Sequence, residues 1–131
     1  MPLAAVRSRL ADIASTTETA TPPIDSVLST LQNERRRLAL RFAVSASGSF
    51  SLGELVDNVA ADEFGAEYAT NERKTVYTTM YQHHIDELVS VGALVPVDSD
   101  DAHCYQSGPM ARPLVAVLDA IESTLRGELD G

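Results

Sequence analysis

The stretch "NERKTVYTTMYQHHIDELVSVGALVPVD", Asn71 to Asp98, decides how the chain folds. Its longer first part repeats apolar side chains at helical spacing, and its end reads as a strand. Thr70 or Asn71 is the expected cap, Glu72 favours the first turn, and Gly92 supplies a stop. The spacing predicts a helix over residues 71–91. On a wheel of about 100° per residue, Tyr77, Tyr81, His84, Leu88 and Val91 share one face, flanked by Met80 and Ile85. That face is expected to be buried. The opposite face carries Thr75, Thr78, Thr79 and Gln82, with His83 at its edge. Between Glu72 and Asp86 there is no carboxylate.

Upstream, Ser51 and Glu54 form an S-x-x-E capping box ahead of the stripe Leu52, Leu55, Val56 and Val59. Asp57, Asp62 and Glu63 lie off that stripe. Before it, Asn33 caps "ERRRLALRFAVSAS", with Leu31, Leu38 and Phe42 on one face. Ser26 to Gln32 can form one or two further helical turns, and Ser49 to Ser51 a very short extended segment. Downstream, "ALVPVD" and "HCYQS" read as strands joined by "SDDA", a small hairpin. Pro113 suits the first turn of a last helix, in which Leu114, Leu118, Ile121 and Leu125 make a narrow, coiled-coil-like seam. At the other end Leu3, Val6, Leu10 and Ile13 predict an amphipathic helix, broken by "STTETATPP".

Three parts follow: residues 1–23 as a helix and linker, 24–108 as the central domain, and 109–131 as a dimerisation helix. The fold class is mainly α with a small β hairpin. The element order is that of a winged helix-turn-helix with additional N- and C-terminal helices. A three-helix bundle with a separate hairpin would give the same pattern.

The 131 residues carry a formal net charge of -9, with 19 acids against 10 bases, and Lys74 is the single lysine. Acid excess with almost no lysine suits a surface adapted to molar salt, since carboxylates hold water and cations while lysine stems expose apolar surface. An ordinary acidic protein is the alternative. No apolar run approaches the roughly 20 residues that span a bilayer, and the N-terminus lacks the pattern of a secretory signal. A cytoplasmic protein without a membrane partner is expected. The single Cys104 excludes an internal disulfide. No P-loop, Ser-His-Asp order or glycine-rich phosphate loop is present, so neither an enzyme nor a cofactor is expected. His83 and His84 point about 100° apart on a helix and are poor metal co-ligands, so no metal site is expected with His103 and Cys104. Cys104 could sense oxidants or link two subunits, but its neighbours are His103 and an acidic loop rather than the electropositive setting of a reactive thiol, and a structural cysteine is the expectation.

The positive charge is concentrated. Residues 35–53 are also free of acids and carry Arg35, Arg36, Arg37 and Arg41. With Arg73 and Lys74, six of the ten bases fall in the two helices that a winged helix would bring near DNA. A helix that enters the major groove must keep carboxylates away from phosphates and present side chains that reach base edges, as Gln does for adenine and Thr for the thymine methyl. Arg73 and Lys74 are expected to reach phosphates, helped by the helix N-terminus. The acidic wing "DSDDA", with Asp98, Asp100 and Asp101, opposes this. Either its tip points away from DNA, or cations neutralise it, or it makes no DNA contact.

"LQNERRRLALRF", "SLGELVDNVA" and the stretch quoted first resemble haloarchaeal winged-helix domains, over roughly Leu28 to Ser107. The specific residues are Glu72-Arg73-Lys74, Val76-Tyr77, Tyr81-Gln82 and His84. The resemblance implies a haloarchaeal DNA-binding transcription regulator, and one redox-responsive protein of that kind is a homodimer. From the residues themselves, the Leu114 to Leu125 seam asks for a two-fold partner or for packing on its own domain. The expectation is a homodimer binding double-stranded DNA, with chloride and potassium ions at its surface. A winged helix used only for protein contacts is the competing reading.

Overall fold

A computed structural model describes residues 21–98 and 103–127. The predicted helix over residues 3–15 with its stripe Leu3, Val6, Leu10 and Ile13, and the wing loop with Asp100 and Asp101, lie outside the described residues.

Helix α1 spans Ile24–Leu31 and α2 spans Glu34–Ser45. The Asn33 side chain caps α2 by accepting from the Arg36 N–H at 3.2 Å. Strand β1, Phe50–Ser51, leads directly into α3, Leu52–Phe64. The predicted capping box is present: Glu54 N–H donates to Ser51 Oγ at 3.1 Å, and Ser51 N–H donates to Glu54 Oε2 at 3.0 Å. Each such cap satisfies orphan backbone donors at a helix start.

Helix α4 is continuous but not uniform. It runs through Thr70–Thr79, then a π turn at Met80–His84, then Ile85–Ser90. The expected cap at Thr70 or Asn71 lies one or two positions late. Ala69, which has no side-chain acceptor, precedes the first turn, and its own N–H donates to the Glu72 carboxylate at 2.8 Å. At the other end Gly92, at φ 81°, stops the helix as expected. Ala93 N–H donates to Leu88 O at 2.8 Å and Gly92 N–H to Val89 O at 3.1 Å, the paired bonds of a Schellman motif.

The π turn corrects the single-wheel reading. Val76 and Met80 are buried in the first half of α4, and His84, Ile85, Leu88 and Val91 in the second. Residues four apart drift by about 40° on an α-helix, so the run 76, 80, 84, 88 leaves one face after about three steps. One extra residue in a turn restores it. Without that residue His83 and Glu87 would turn inward in place of His84 and Leu88. Tyr81, expected on the buried face, is 48% exposed.

Strands β2, Leu94–Val97, and β3, Cys104–Ser107, form the predicted hairpin. The sheet has the order β1-β3-β2 and is antiparallel throughout, with Phe50 opposite Tyr105 and Val97 opposite Cys104. Pro96 falls on an edge strand, where a missing N–H is tolerated. The fold is mainly α with a small three-stranded antiparallel sheet, compatible with a winged helix. The core lies where α2, α3 and α4 meet the sheet and α5, Ala111–Leu125, and is filled by Leu40, Leu52, Leu55, Met80, Leu88, Leu94 and Leu114. The expected α2 face shifts: Ala39, Leu40 and Ala43 are buried, while Leu38 and Phe42 are half-buried against them. In α5, Leu114 and Leu118 belong to this core, whereas Ile121 and Leu125 are exposed.

The connection from β3 to α5 crosses close to the end of α4. Gly108 N–H donates to Ala93 O at 2.8 Å, and a side chain at Gly108 would run into the Gly92 carbonyl. Gly108→Ala is expected to lower the unfolding free energy by about 1–3 kcal/mol. Gly48→Ala, where an added methyl meets nothing within 4 Å, is expected to stay within about 0.5 kcal/mol of the parent. Denaturant titration of both variants checks the contrast, and equal small effects would contradict the crossing.

Candidate nucleic-acid interface

The outer face of α4 is the surface on which the expected readout residues meet. Asn71, Lys74, Thr75, Thr78, Gln82 and His83 are exposed, and Thr79 is half-buried. Asn71, Lys74, Thr75, Thr78 and Thr79 line a shallow hollow of about 380 Å³. The Thr75 and Thr79 hydroxyls donate back to Asn71 O and Thr75 O, at 3.0 and 2.8 Å. Their oxygens remain able to accept, and their methyls to contact apolar groups. Lys74, Thr78 and Gln82 make no side-chain hydrogen bond or ion pair with another described residue. Asn71 and Tyr81 also stand on this exposed surface. The wheel centred on Tyr77 hid Tyr81, and the run of four-residue spacings was the signal that a single wheel would fail.

The arginines are placed differently. Arg35 makes a two-pronged pair with Glu63 on α3, at 2.8 and 2.7 Å. Arg37 donates to Leu31 O at the end of α1, at 2.7 Å. Arg41 pairs with Asp119 at 2.9 Å and also with Glu122, tying α2 to α5. Arg36 donates to Ser29 O and to His84 Nδ1, both at 3.0 Å. Arg73 donates to Asp57 Oδ1 at 2.6 Å, and the Tyr68 hydroxyl donates to the same oxygen at 2.7 Å. The guanidinium of Arg73 also lies 6.0 Å from the Tyr77 ring centroid. All five arginines therefore join one helix to another or to a loop. Of the six bases expected near DNA, Lys74 is the one not engaged within the described residues, and of the two expected phosphate contacts, Arg73 and Lys74, Arg73 is taken up by Asp57. The α4 N-terminus is likewise less inviting to an anion than expected, because Glu72 places a carboxylate in its first turn.

These contacts set the electrostatics. The Arg73 guanidinium and then the Tyr68 hydroxyl hold the Asp57 carboxyl below its usual range, and Arg35 does the same for Glu63. The Tyr68 phenol is raised in turn by its bond to Asp57. His84 is 5% exposed, and its Nδ1 accepts from Arg36, so it is a satisfied core histidine held neutral. Burial first, and then the charges of Arg36 and Arg35 and the neighbouring His83, push it down to about 4.

Of the residues that carry the resemblance, most build the fold. Glu72 caps, Arg73 clamps Asp57, Val76 is core, and His84 receives Arg36. Tyr77 stacks on Tyr81 at 6.5 Å, and Tyr81 meets the His103 ring at 4.9 Å. Lys74 and Gln82 alone among them face outward with no partner among the described residues. His83 is exposed and His84 buried, so the adjacent pair diverges as the sequence implied. Among the described residues, no helix is long and apolar enough to cross a membrane.

Residues 28–103 match the family described as Domain of unknown function (DUF7344). No curated protein and no solved structure matches the chain.

The His84 environment predicts a pH dependence. Because its folded-state pKa lies below the unfolded value near 6.5, the contribution is complete above about pH 6.5 and is lost as pH falls towards 4. His84→Gln keeps an acceptor for Arg36 and cannot be protonated. Its unfolding free energy is expected to fall less steeply between pH 6.5 and 4 than that of the parent, the remaining slope coming from carboxylates such as Asp57 and Glu63. Parallel curves from denaturant titration would contradict this.

Proposed function

The chain belongs to the DUF7344 family, and from that premise and the surface of α4 we propose that the protein is a sequence-specific DNA-binding transcription regulator acting as a homodimer in high salt. The observation that carries the reading is the outer face of α4: free of carboxylates from Arg73 to Ile85, and presenting Lys74, Thr78 and Gln82 outward with no partner among the described residues. Gln82 suits adenine, and the threonines suit a thymine methyl or a base-edge hydrogen bond. Lys74 supplies a phosphate contact. The resemblance to haloarchaeal winged-helix regulators points to the same reading.

The engaged arginines change the expected energetics. Phosphate attraction is small when one lysine carries it, and counterion release fades as salt rises. In molar salt the loss matters little, because screening there already shortens electrostatic reach to about 3 Å. Affinity then rests on base contacts, shape fit and water release. A homodimer would use the exposed remainder of the α5 seam, Ile121 and Leu125, with Val117 beside them. Two α4 helices about 34 Å apart would read a pseudo-palindromic site.

A winged helix used only for protein contacts is the second reading, favoured by the internal pairing of the five arginines. Selection from a randomised duplex pool in molar KCl separates the two. Enrichment of one pseudo-palindromic site is expected. Gln82→Ala should then relax preference at one position, by about 1–3 kcal/mol of discrimination. Lys74→Ala should weaken all sequences alike and lower the salt slope by roughly one contact per protomer. No retained duplex, or both variants binding as the parent does, would contradict the proposal.

A further inference from the structure

A second hollow, of about 410 Å³, opens between the π turn of α4 and the base of the hairpin. It is lined by Tyr81, Gln82, Ile85, Asp86, His103 and Tyr105. Its size lies within the range of small-ligand pockets. The Tyr81 and His103 rings meet edge to face, at 69° between planes, and form two walls. His103 is held there by the backbone: it adopts φ 66°, and its carbonyl accepts the Leu52 N–H at 2.9 Å. Tyr81 is braced from behind by its stack on Tyr77.

Two polar groups face this hollow. Tyr105 is 8% exposed, yet its hydroxyl makes no hydrogen bond with any described residue. Asp86 is exposed at the rim and forms no ion pair with any described residue. Three aromatic rings and one carboxylate around one space favour positive charge. The rings attract a cation through their quadrupoles, most strongly one with a diffuse, weakly hydrated charge. A metal ion is a poor fit, because among the described residues no three His, Cys, Asp or Glu side chains come together to hold one.

We propose that the hollow between the α4 π turn and β3 binds a small organic ammonium ion, with Tyr81, His103 and Tyr105 as its aromatic walls and Asp86 as its counter-charge. Methyl groups on nitrogen suit the ring faces, and a hydroxyl on the same molecule can bond the Tyr105 phenol or the Gln82 amide. Burial first, and then the nearby Tyr81 and Asp86, raise the Tyr105 phenol, so it stays a neutral hydrogen-bonding group in the hollow. The π turn is integral to the site, since it turns Tyr81 outward while Ile85 stays in the core. This site does not depend on α4 meeting DNA.

Choline and 3,3-dimethylbutan-1-ol are matched probes: they share a shape and differ in the charged nitrogen. Each is titrated into the full chain at constant ionic strength set with NaCl, and backbone amide shifts are followed by NMR. Choline is expected to give saturable shifts centred on Tyr81, Asp86 and Tyr105, with the neutral alcohol weaker by roughly tenfold or more. Tyr81→Ala and Asp86→Asn, both at exposed positions, are each expected to weaken choline by a similar factor. Equal response to the two probes, saturation centred elsewhere, no saturable shift from choline, or unchanged affinity in both variants would each overturn the proposal.

Discussion

Helix α4 has to bury two apolar stripes that are out of phase. Val76 and Met80 set one direction, and His84, Leu88 and Val91 set another. A regular α-helix cannot satisfy both, and the π turn at Met80–His84 reconciles them with one added residue. Much else follows from that turn. It delivers His84 to the core, where Arg36 can reach its ring nitrogen. It leaves Tyr81 at the surface, and it keeps Glu87 from being driven inward. The outward composition of α4, and so any partner it can meet, is set by this local change of pitch.

A second theme is how the scarce positive charge is used. In a chain of net charge -9, the arginines of α2 and Arg73 hold helices together. Exposed pairs of this kind contribute only about 0.2–1 kcal/mol each. Arg41, Arg35 and Arg73 nevertheless connect different pairs of elements, so they fix angles between helices as well as adding stability. The Asp57–Arg73–Tyr68 cluster holds α4 against α3 at the turn between them, the place that governs how far α4 projects. The outer face of α4 is consequently neutral and hydrogen-bonding rather than basic. For a protein in molar salt that is a workable surface, since long-range attraction to phosphates is already screened.

Much of this was legible in the sequence, for identifiable reasons. The Ser51–Glu54 box, the Asn33 cap and the Gly92 stop are local chemistry, and each is where its residues place it. The α3 stripe and the hairpin follow from clear periodicity. The exposed threonine and Gln82 face follows from the same wheel. The position of Tyr81 was not legible, because one wheel averages two phases. The partners of the arginines were not legible either. Arg35 and Glu63 are far apart in sequence, as are Arg41 and Asp119, and only packing brings them together. An acid-free run signals where carboxylates are absent locally, and says nothing of carboxylates supplied by another helix. The α5 seam divided for a similar reason: Leu114 and Leu118 meet the protein's own core before any partner can cover them.

The account stands or falls on whether the outer face of α4 is the surface that meets duplex DNA. Thiol modification rates test this directly, in a Cys104→Ser background with single cysteines placed at Thr78, at Gln82 and, as a reference on α3, at exposed Asp62. With the selected duplex present in molar KCl, the account predicts strong protection at positions 78 and 82 and an unchanged rate at 62. Unchanged rates at both α4 positions, or protection appearing at 62 instead, would contradict it.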